Sequence, residues 1–418
     1  MREGEGGALA LSALWGFLAL GSWFVVRPAR DVMGTVVGED AVRWLYIGTL
    51  AGMAVVNPLF SWLVSRTRRV SFTLVVYGFF ALNLLGFRAA LAAGGVEGSA
   101  ALAGAFFVWS SVFNLFIVSV FWGFMADTWR SEQAKRLYGV IGLGATLGAI
   151  AGSAGAAMFA RWLGVENLLL AGACGLALAG GCAAWLGSVV SRRAAPADRE
   201  AARRKIGGSA WDGLRSALGK PYFLGISAYI LLLTVTQTFV YFQELRIVGG
   251  AFAGDPEGKA RAFATIELCT QTLTALTQAF LTARLLRWLG VGGSLALAPM
   301  VTLVGMAALA AAPSVFVLAA FQALRKTSER AVARPAREAL YTVVERSEKY
   351  KAKSFIDTFV YRGGDVGGAG ADGLVKAVGG GAGALVALTA PIAGVWIALS
   401  LWLGRRHAAR AEATVQNS

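Results

Sequence analysis

Apolar runs of about 20 residues follow one another along the chain, separated by short polar turns, and each is long enough for a helix to cross a bilayer. The pattern predicts twelve helices, at 8–32, 42–64, 70–93, 101–126, 136–160, 166–188, 220–247, 260–285, 291–312, 315–342, 354–378 and 383–404. One long polar stretch interrupts it, 189–219, which contains "SRRAAPADREAARRK". That stretch separates a six-helix half (1–188) from a second six-helix half with a short tail (220–418). The remaining connections are too short to hold a soluble domain. The opening "MREGEGGALALSALWGFLAL" mixes Arg2 with Glu3 and Glu5 and offers no clean small-residue cleavage site. It is expected to stay as the first helix rather than leave as a signal peptide.

Composition agrees with a polytopic membrane protein. Of 418 residues, 56% are hydrophobic and only 15% charged, against about a quarter charged in soluble domains; the mean hydropathy is +0.60. A formal charge of +15 raises nucleic acid as a partner, and its distribution argues against one. With the N-terminus inside, the inner loops hold Arg66, Arg68, Arg69, Arg130, Lys135, Arg136, the basic linker, Arg284, Arg287, Lys349, Lys351 and Lys353, and the tail adds Arg405 and Arg406. The outer loops hold little beyond Arg43, Arg88, Arg161, Arg246, Lys259, Arg261 and Lys376. This is the positive-inside pattern. It predicts a multi-pass protein of a bacterial inner membrane with both termini cytoplasmic, lipid as its surroundings and no nucleic-acid partner.

The halves also repeat. "WRSEQAK" from Trp129 parallels "ERSEKYK" from Glu345, and "RPARD" (27–31) in helix 1 nearly matches "RPARE" (334–338) in helix 10. Two parallel six-helix halves, each nesting inverted three-helix repeats, make the major facilitator architecture, in which helices 1, 4, 7 and 10 line the central cavity. The expected fold is thus an all-α, twelve-helix membrane protein of that type. The cations of the two matching clusters then face water inside the bundle.

Polar residues on the predicted liners are the candidate site. A cation at a helix centre costs about 2.5–3.5 kcal/mol on insertion scales, so five facing lipid is excluded. At 100° per residue, Gln322, Arg325, Lys326, Glu329, Arg330, Arg334 and Arg337 cover about half of helix 10, as one wet face would; snorkelling at the inner interface is the competing reading for Arg334. Pro28 and Pro335 are expected to kink or interrupt their helices. Asn114 and Gln237 sit near the midpoints of helices 4 and 7, where an amide either bonds a neighbouring helix or contacts a solute, and Gln243 follows in helix 7. Glu267, Gln271 and Gln278 line helix 8. Asp127, beside Arg130, Lys135 and Arg136, is expected to pair charges at an inner gate with the "SRTRR" loop (65–69), and Arg27 and Asp31 do so on helix 1. In helix 11, Asp357, Arg362, Asp365 and Asp372 lie among glycines that allow close helix approach, and the acids are placed to neutralise helix 10 cations.

Catalytic constellations are absent from the sequence. His407, the single histidine, lies in the tail. The glycines of "GLGATLGAIAGSAGA" fall inside a predicted span and read as helix packing, not as a phosphate loop. Cys174, Cys182 and Cys269 have no metal-ligand spacing and lie in apolar segments, so no disulfide, metal or cofactor is expected.

The stretch 334–373 resembles the ATP/ADP translocases of plastids and obligate intracellular bacteria. "RPAREALY" is similar to that family's Asp-Pro-x-Lys-Glu-x-x-Tyr, and "KYKAKSFIDTFVYRGGDVGGA" to its lysine-rich element with Ile-Asp, Arg and glycines. "RPARD" and "VFWGFMAD" (120–127) resemble its elements in helices 1 and 4. The resemblance implies a nucleotide antiporter in which Arg30 and Arg337 stand for the substrate-binding lysines. A guanidinium suits bidentate phosphate recognition. Gln237, and approximately Asn114, stand where the family carries glutamates, so charge coupling differs from strict ATP/ADP exchange.

Together these features predict a non-enzymatic, monomeric secondary transporter of a small anionic solute, ATP/ADP or another nucleotide first among them, working by alternating access. Arg30 and Arg337 would bind phosphate, Lys326 and Arg330 would raise the cavity potential, and Gln237 and Asn114 would meet the polar remainder. Arg27, Asp31, Asp127, Arg334, Asp357, Arg362 and Asp365 would gate or pair charges. The alternatives are a membrane scaffold whose basic face binds anionic lipid, and a facilitator handling lipid headgroups.

Overall fold

The computed structural model describes residues 5–66, 69–129, 131–193, 220–344, 352–353, 355–380 and 382–416. Twelve long helices run through them: α1 (Glu5–Val37), α2 (Glu39–Arg66), α3 (Arg69–Gly94), α4 (Ala100–Thr128), α5 (Ser131–Leu163), α6 (Val165–Arg193), α7 (Pro221–Ala251), α8 (Pro256–Phe280), α9 (Thr282–Ala311), α10 (315–340), α11 (356–377) and α12 (Ala382–Gln416). Among the described residues eight are long and apolar enough to cross a membrane by composition alone; α2, α8, α10 and α11 are not in that set. Charges inside α8, α10 and α11 lower their hydropathy. Most of the 189–219 linker lies outside the described residues, as do Arg68, Arg130, Lys349 and Lys351.

The chain forms two compact units, the described residues of Met1–Lys205 with Val248–Leu268, and those of Ile206–Ile247 with Cys269–Ser418. Helix ends follow local chemistry. The Ser99 and Ser314 side chains accept from the amides of Leu102 and Val317, capping α4 and α10, which satisfies otherwise orphaned donors. Gly38 and Gly164 alone separate α1 from α2 and α5 from α6, at φ of 81° and 79°. A side chain there would strain so short a turn.

In the first unit α1 is enclosed by α4, α5 and α6. Gly144, Gly148 and Gly152 of α5 lie directly on the backbone of Ala13, Phe17 and Gly21 of α1, so a Cβ on any of them would overlap a carbonyl. The glycine run is a packing ridge, as its place inside a span predicts. Trp15, fully buried, meets the rings of Tyr77, Phe121 and Phe124 edge-on, a favoured geometry for aromatic pairs. In the second unit Tyr222, Phe223, Tyr229, Leu295, Leu340, Tyr341 and Trp396 form a core. Tyr222 and Tyr229 donate to the carbonyls of Leu340 (2.9 Å) and Leu295 (3.2 Å).

Three elements depart from expectation. Helix 8 ends at Phe280, not at 285, and Thr282 begins a short basic segment that Gly290 (φ 63°, ψ −176°) breaks from the following span. The apolar count alone had merged that segment with helix 8. Arg246, assigned to an outer loop, lies inside α7, where Asp372 of α11 holds it with two bonds of 3.0 and 3.1 Å. Pro28 does not interrupt α1, which runs unbroken from Glu5 to Val37.

Pro335 behaves differently from Pro28. Residues Ser328–Ala333 widen into a π-helical segment before α-helix resumes at Arg334. The Ala331 carbonyl stands four residues before a proline that has no N–H to offer it. The Thr282 hydroxyl donates to that carbonyl instead, at 2.8 Å. The extra residue in the widened turn resets the helix face, so a single 100° stripe does not describe α10. Arg325 and Arg337 are buried, Lys326, Glu329 and Arg330 half-buried, and Arg334 exposed.

Candidate functional site

Among the described residues, each unit holds a group of charged and amide side chains inside its helices. In the first, Arg27 and Arg30 flank Asp31, which is 6% exposed. Arg30 Nη1 lies 3.0 Å from Asp31 Oδ1, while its guanidinium carbon sits 4.0 Å from the centroid of the Phe107 ring on α4. A guanidinium over an aromatic face is held by the ring quadrupole as well as by charge. Arg27 Nη1 pairs with Glu267 Oε1 at 2.8 Å. This gives Glu267 of α8 a role the sequence did not specify. Asn114 is half-buried on α4. Asp127 meets Arg69, the last residue of "SRTRR", at 2.9 Å, both about half exposed; this is one of the pairs expected of a gate, and Arg130 lies outside the described residues.

In the second unit the polar residues join α7, α10 and α11. Gln237 Nε2 donates to the Tyr361 hydroxyl at 3.2 Å. The Thr238 hydroxyl faces the Asp365 carbonyl oxygen at 3.5 Å, and Arg362 Nη1 pairs with Asp365 Oδ2 at 3.1 Å. Gly364 and Gly368 permit this approach, since a Cβ at either would overlap Thr234, Val235 or Thr238 of α7. Arg337, 9% exposed, has Tyr229, Tyr341 and Asp357 as electrostatic neighbours. Asp357 itself is exposed. Asp365 pairs with Arg362 and Asp372 with Arg246.

One residue of this group escaped the sequence reading. Glu244, 5% exposed, accepts from Gln322 Nε2 of α10 at 2.5 Å. It lies seven residues, two helical turns, beyond Gln237, so that spacing on a shared face was the available signal. Arg325 is 3% exposed at the head of the widened segment of α10. Buried charge on this scale is costly unless paired, and membrane-embedded ionisable residues mark solute or ion pathways more often than packing.

No family model and no curated protein matches the sequence. Solved structures do. A bacterial homologue of the human lysosomal transporter Spinster superposes with a TM-score of 0.55 at 14% identity, covering 97% of this chain and 94% of that one. The nucleoside transporter NupG gives 0.57 at 11%, covering 96% and 98%. An autoinhibited peptide transporter of the POT family gives 0.58 at 12%, covering 97% and 96%. The fold is the major facilitator type. With that, the chain is a multi-pass integral membrane protein, and among the described residues α1, α4, α7 and α10 carry Arg30, Asn114, Gln237 and Arg337.

Proposed function

We propose that the protein is a secondary transporter of an anionic, phosphorylated solute, with a nucleotide such as ATP or ADP as the leading candidate, moved by alternating access. The observation that carries this reading is the burial of cations along one helix, α10. α10 holds Arg325 and Arg337 inside the second unit, with Lys326 and Arg330 half-buried between them. A lipid-binding scaffold has no need for guanidinium groups withdrawn from the membrane surface, whereas a carrier of anions does. Arg30 and Arg337 bind phosphate in this reading, as the resemblance to the ATP/ADP translocases implies. Lys326 and Arg330 add positive potential, and the amides Asn114 and Gln237 meet uncharged parts of the solute. Because Gln237 is neutral and bonded to Tyr361, the coupling of charge to movement differs from that of the translocases. Support also comes from the fold shared with carriers of nucleosides and peptides.

Uptake of radiolabelled ATP into proteoliposomes preloaded with unlabelled ADP tests the proposal. Counterflow that stops when internal nucleotide is omitted is the expected result. An uptake no greater than that of empty liposomes, for ATP, ADP and inorganic phosphate alike, would remove it.

A further inference from the structure

Among the described residues, Arg325 is the buried cation of the second unit whose surroundings leave part of it unused. Its Nε and Nη2 atoms are fully buried and make no hydrogen bond to a described residue. These two N–H groups lie on the same edge of the guanidinium and point the same way, the geometry that grips a carboxylate or phosphate with two parallel bonds. The groups whose charge acts on it are Glu329, Arg330 and Glu244, with the Tyr361 hydroxyl among them. Neither carboxylate closes on the free edge. Glu244 is held by the Gln322 amide, and that amide's own oxygen is also buried and without a partner. One buried spot therefore presents two parallel donors and one acceptor.

The backbone at this spot is unusual as well. The Ser328 hydroxyl donates to the Arg325 carbonyl at 2.8 Å, where the π-helical segment begins, and Thr274 and Thr327 join hydroxyls at 3.1 Å beside it. Widened turns of this kind are rare and concentrate at functional sites, because the inserted residue frees backbone groups and lets the helix shift locally. Arg325, Lys326 and Arg330 set three cations against the carboxylates of Glu244 and Glu329, so an anion is not repelled.

We propose that the Nε–Nη2 edge of Arg325, together with the Gln322 amide oxygen, is a solute subsite within the second unit that takes an oxyanion group, carboxylate or phosphate, flanked by a hydroxyl or amino donor. The inference deepens the anion-carrier reading and rests on it for access, which requires α10 to move during the transport cycle. Arg325 belongs to neither the Arg-Pro-Ala-Arg cluster nor the stretch resembling the translocases.

Thermal unfolding of the purified protein, its Arg325→Met and its Arg325→Lys variants tests the assignment, with inorganic phosphate, ATP and succinate as probes. Removing unsatisfied donors relieves a desolvation cost. Arg325→Met is therefore expected to melt at a higher temperature than the parent without ligand, and to lose ligand-induced stabilisation. Arg325→Lys keeps the charge but not the fork, and is expected to weaken the apparent affinity about tenfold. Stabilisation of the parent by succinate alone, lost in Arg325→Met, would uphold this subsite and overturn the nucleotide reading. Stabilisation by ATP that survives undiminished in both variants would overturn the subsite and leave the nucleotide reading standing. A parent stabilised by none of the probes would overturn both.

Discussion

The glycines of α5 in the first unit and those of α11 in the second each bring one helix onto its neighbour's backbone, yet their surroundings differ. Gly144, Gly148 and Gly152 meet only backbone and apolar groups of α1, beside the buried ring cluster around Trp15. Gly364 and Gly368 meet the threonines of α7, and the same pair of helices is tied by Gln237–Tyr361, Thr238–Asp365 and Arg246–Asp372. One contact is dry and depends on shape. The other is threaded with hydrogen bonds and ion pairs that hold polar groups at depth. The polar contact constrains where buried charge can sit, which a dry ridge cannot do.

Overfilling the dry ridge is expected to have the largest effect. Gly148→Leu places a side chain into the Phe17 carbonyl, where backbone must move. The cost exceeds the roughly 1–3 kcal/mol usual for overpacking, and a monodisperse peak in size-exclusion chromatography should be lost. Gly364→Ala in the polar contact adds a single methyl that strikes the Thr234 side chain first and lies 3.1 Å from the Leu231 carbonyl oxygen. It should retain the peak with a lowered melting temperature. Equal tolerance of both would erase the distinction between the two contacts.

Next in size is the Arg246–Asp372 pair. The Asp372 side chain is completely buried while that of Arg246 is 27% exposed. Arg246→Ala removes two bonds from a fully buried carboxylate and should cost about 3–5 kcal/mol in denaturant unfolding, as broken buried pairs do. Asp372→Asn leaves the more exposed partner and should cost less. The reverse order would show that Arg246, not Asp372, bears the desolvation.

Much of this fold was legible because apolar runs of span length need no tertiary information. The twelve helices, the α5 glycine ridge and the basic clusters of α1 and α10 followed from it. The helix 8 end was not legible, because Thr282–Leu289 mixes Arg284 and Arg287 with apolar residues and only the break at Gly290 separates it. The two prolines looked alike in sequence, but only at Pro335 is the backbone widened, with the Thr282 hydroxyl on the freed Ala331 carbonyl. Pairings such as Arg27 with Glu267 or Arg246 with Asp372 join residues far apart in the chain, and one sequence holds no record of them. Glu244 was legible in principle, since it lies two helical turns from Gln237 on the same face.

The smallest structural effect expected is at Gln237. Gln237→Glu keeps an acceptor for the Tyr361 hydroxyl, so stability should change by about 1 kcal/mol or less. It puts a titratable carboxyl in place of a neutral amide, so the pH profile of transport in proteoliposomes should shift. An unchanged profile would make Gln237 a packing amide.

Calorimetric titration of ATP into the purified protein and its Arg30→Gln and Arg337→Gln variants is the most direct measurement of the anion-carrier account. Each arginine supplies a charge-assisted bond worth about 1.5–3 kcal/mol, so the account predicts that the parent binds and that each variant binds tenfold or more weakly. Parent-like affinity in both variants, or no binding by the parent, would contradict it.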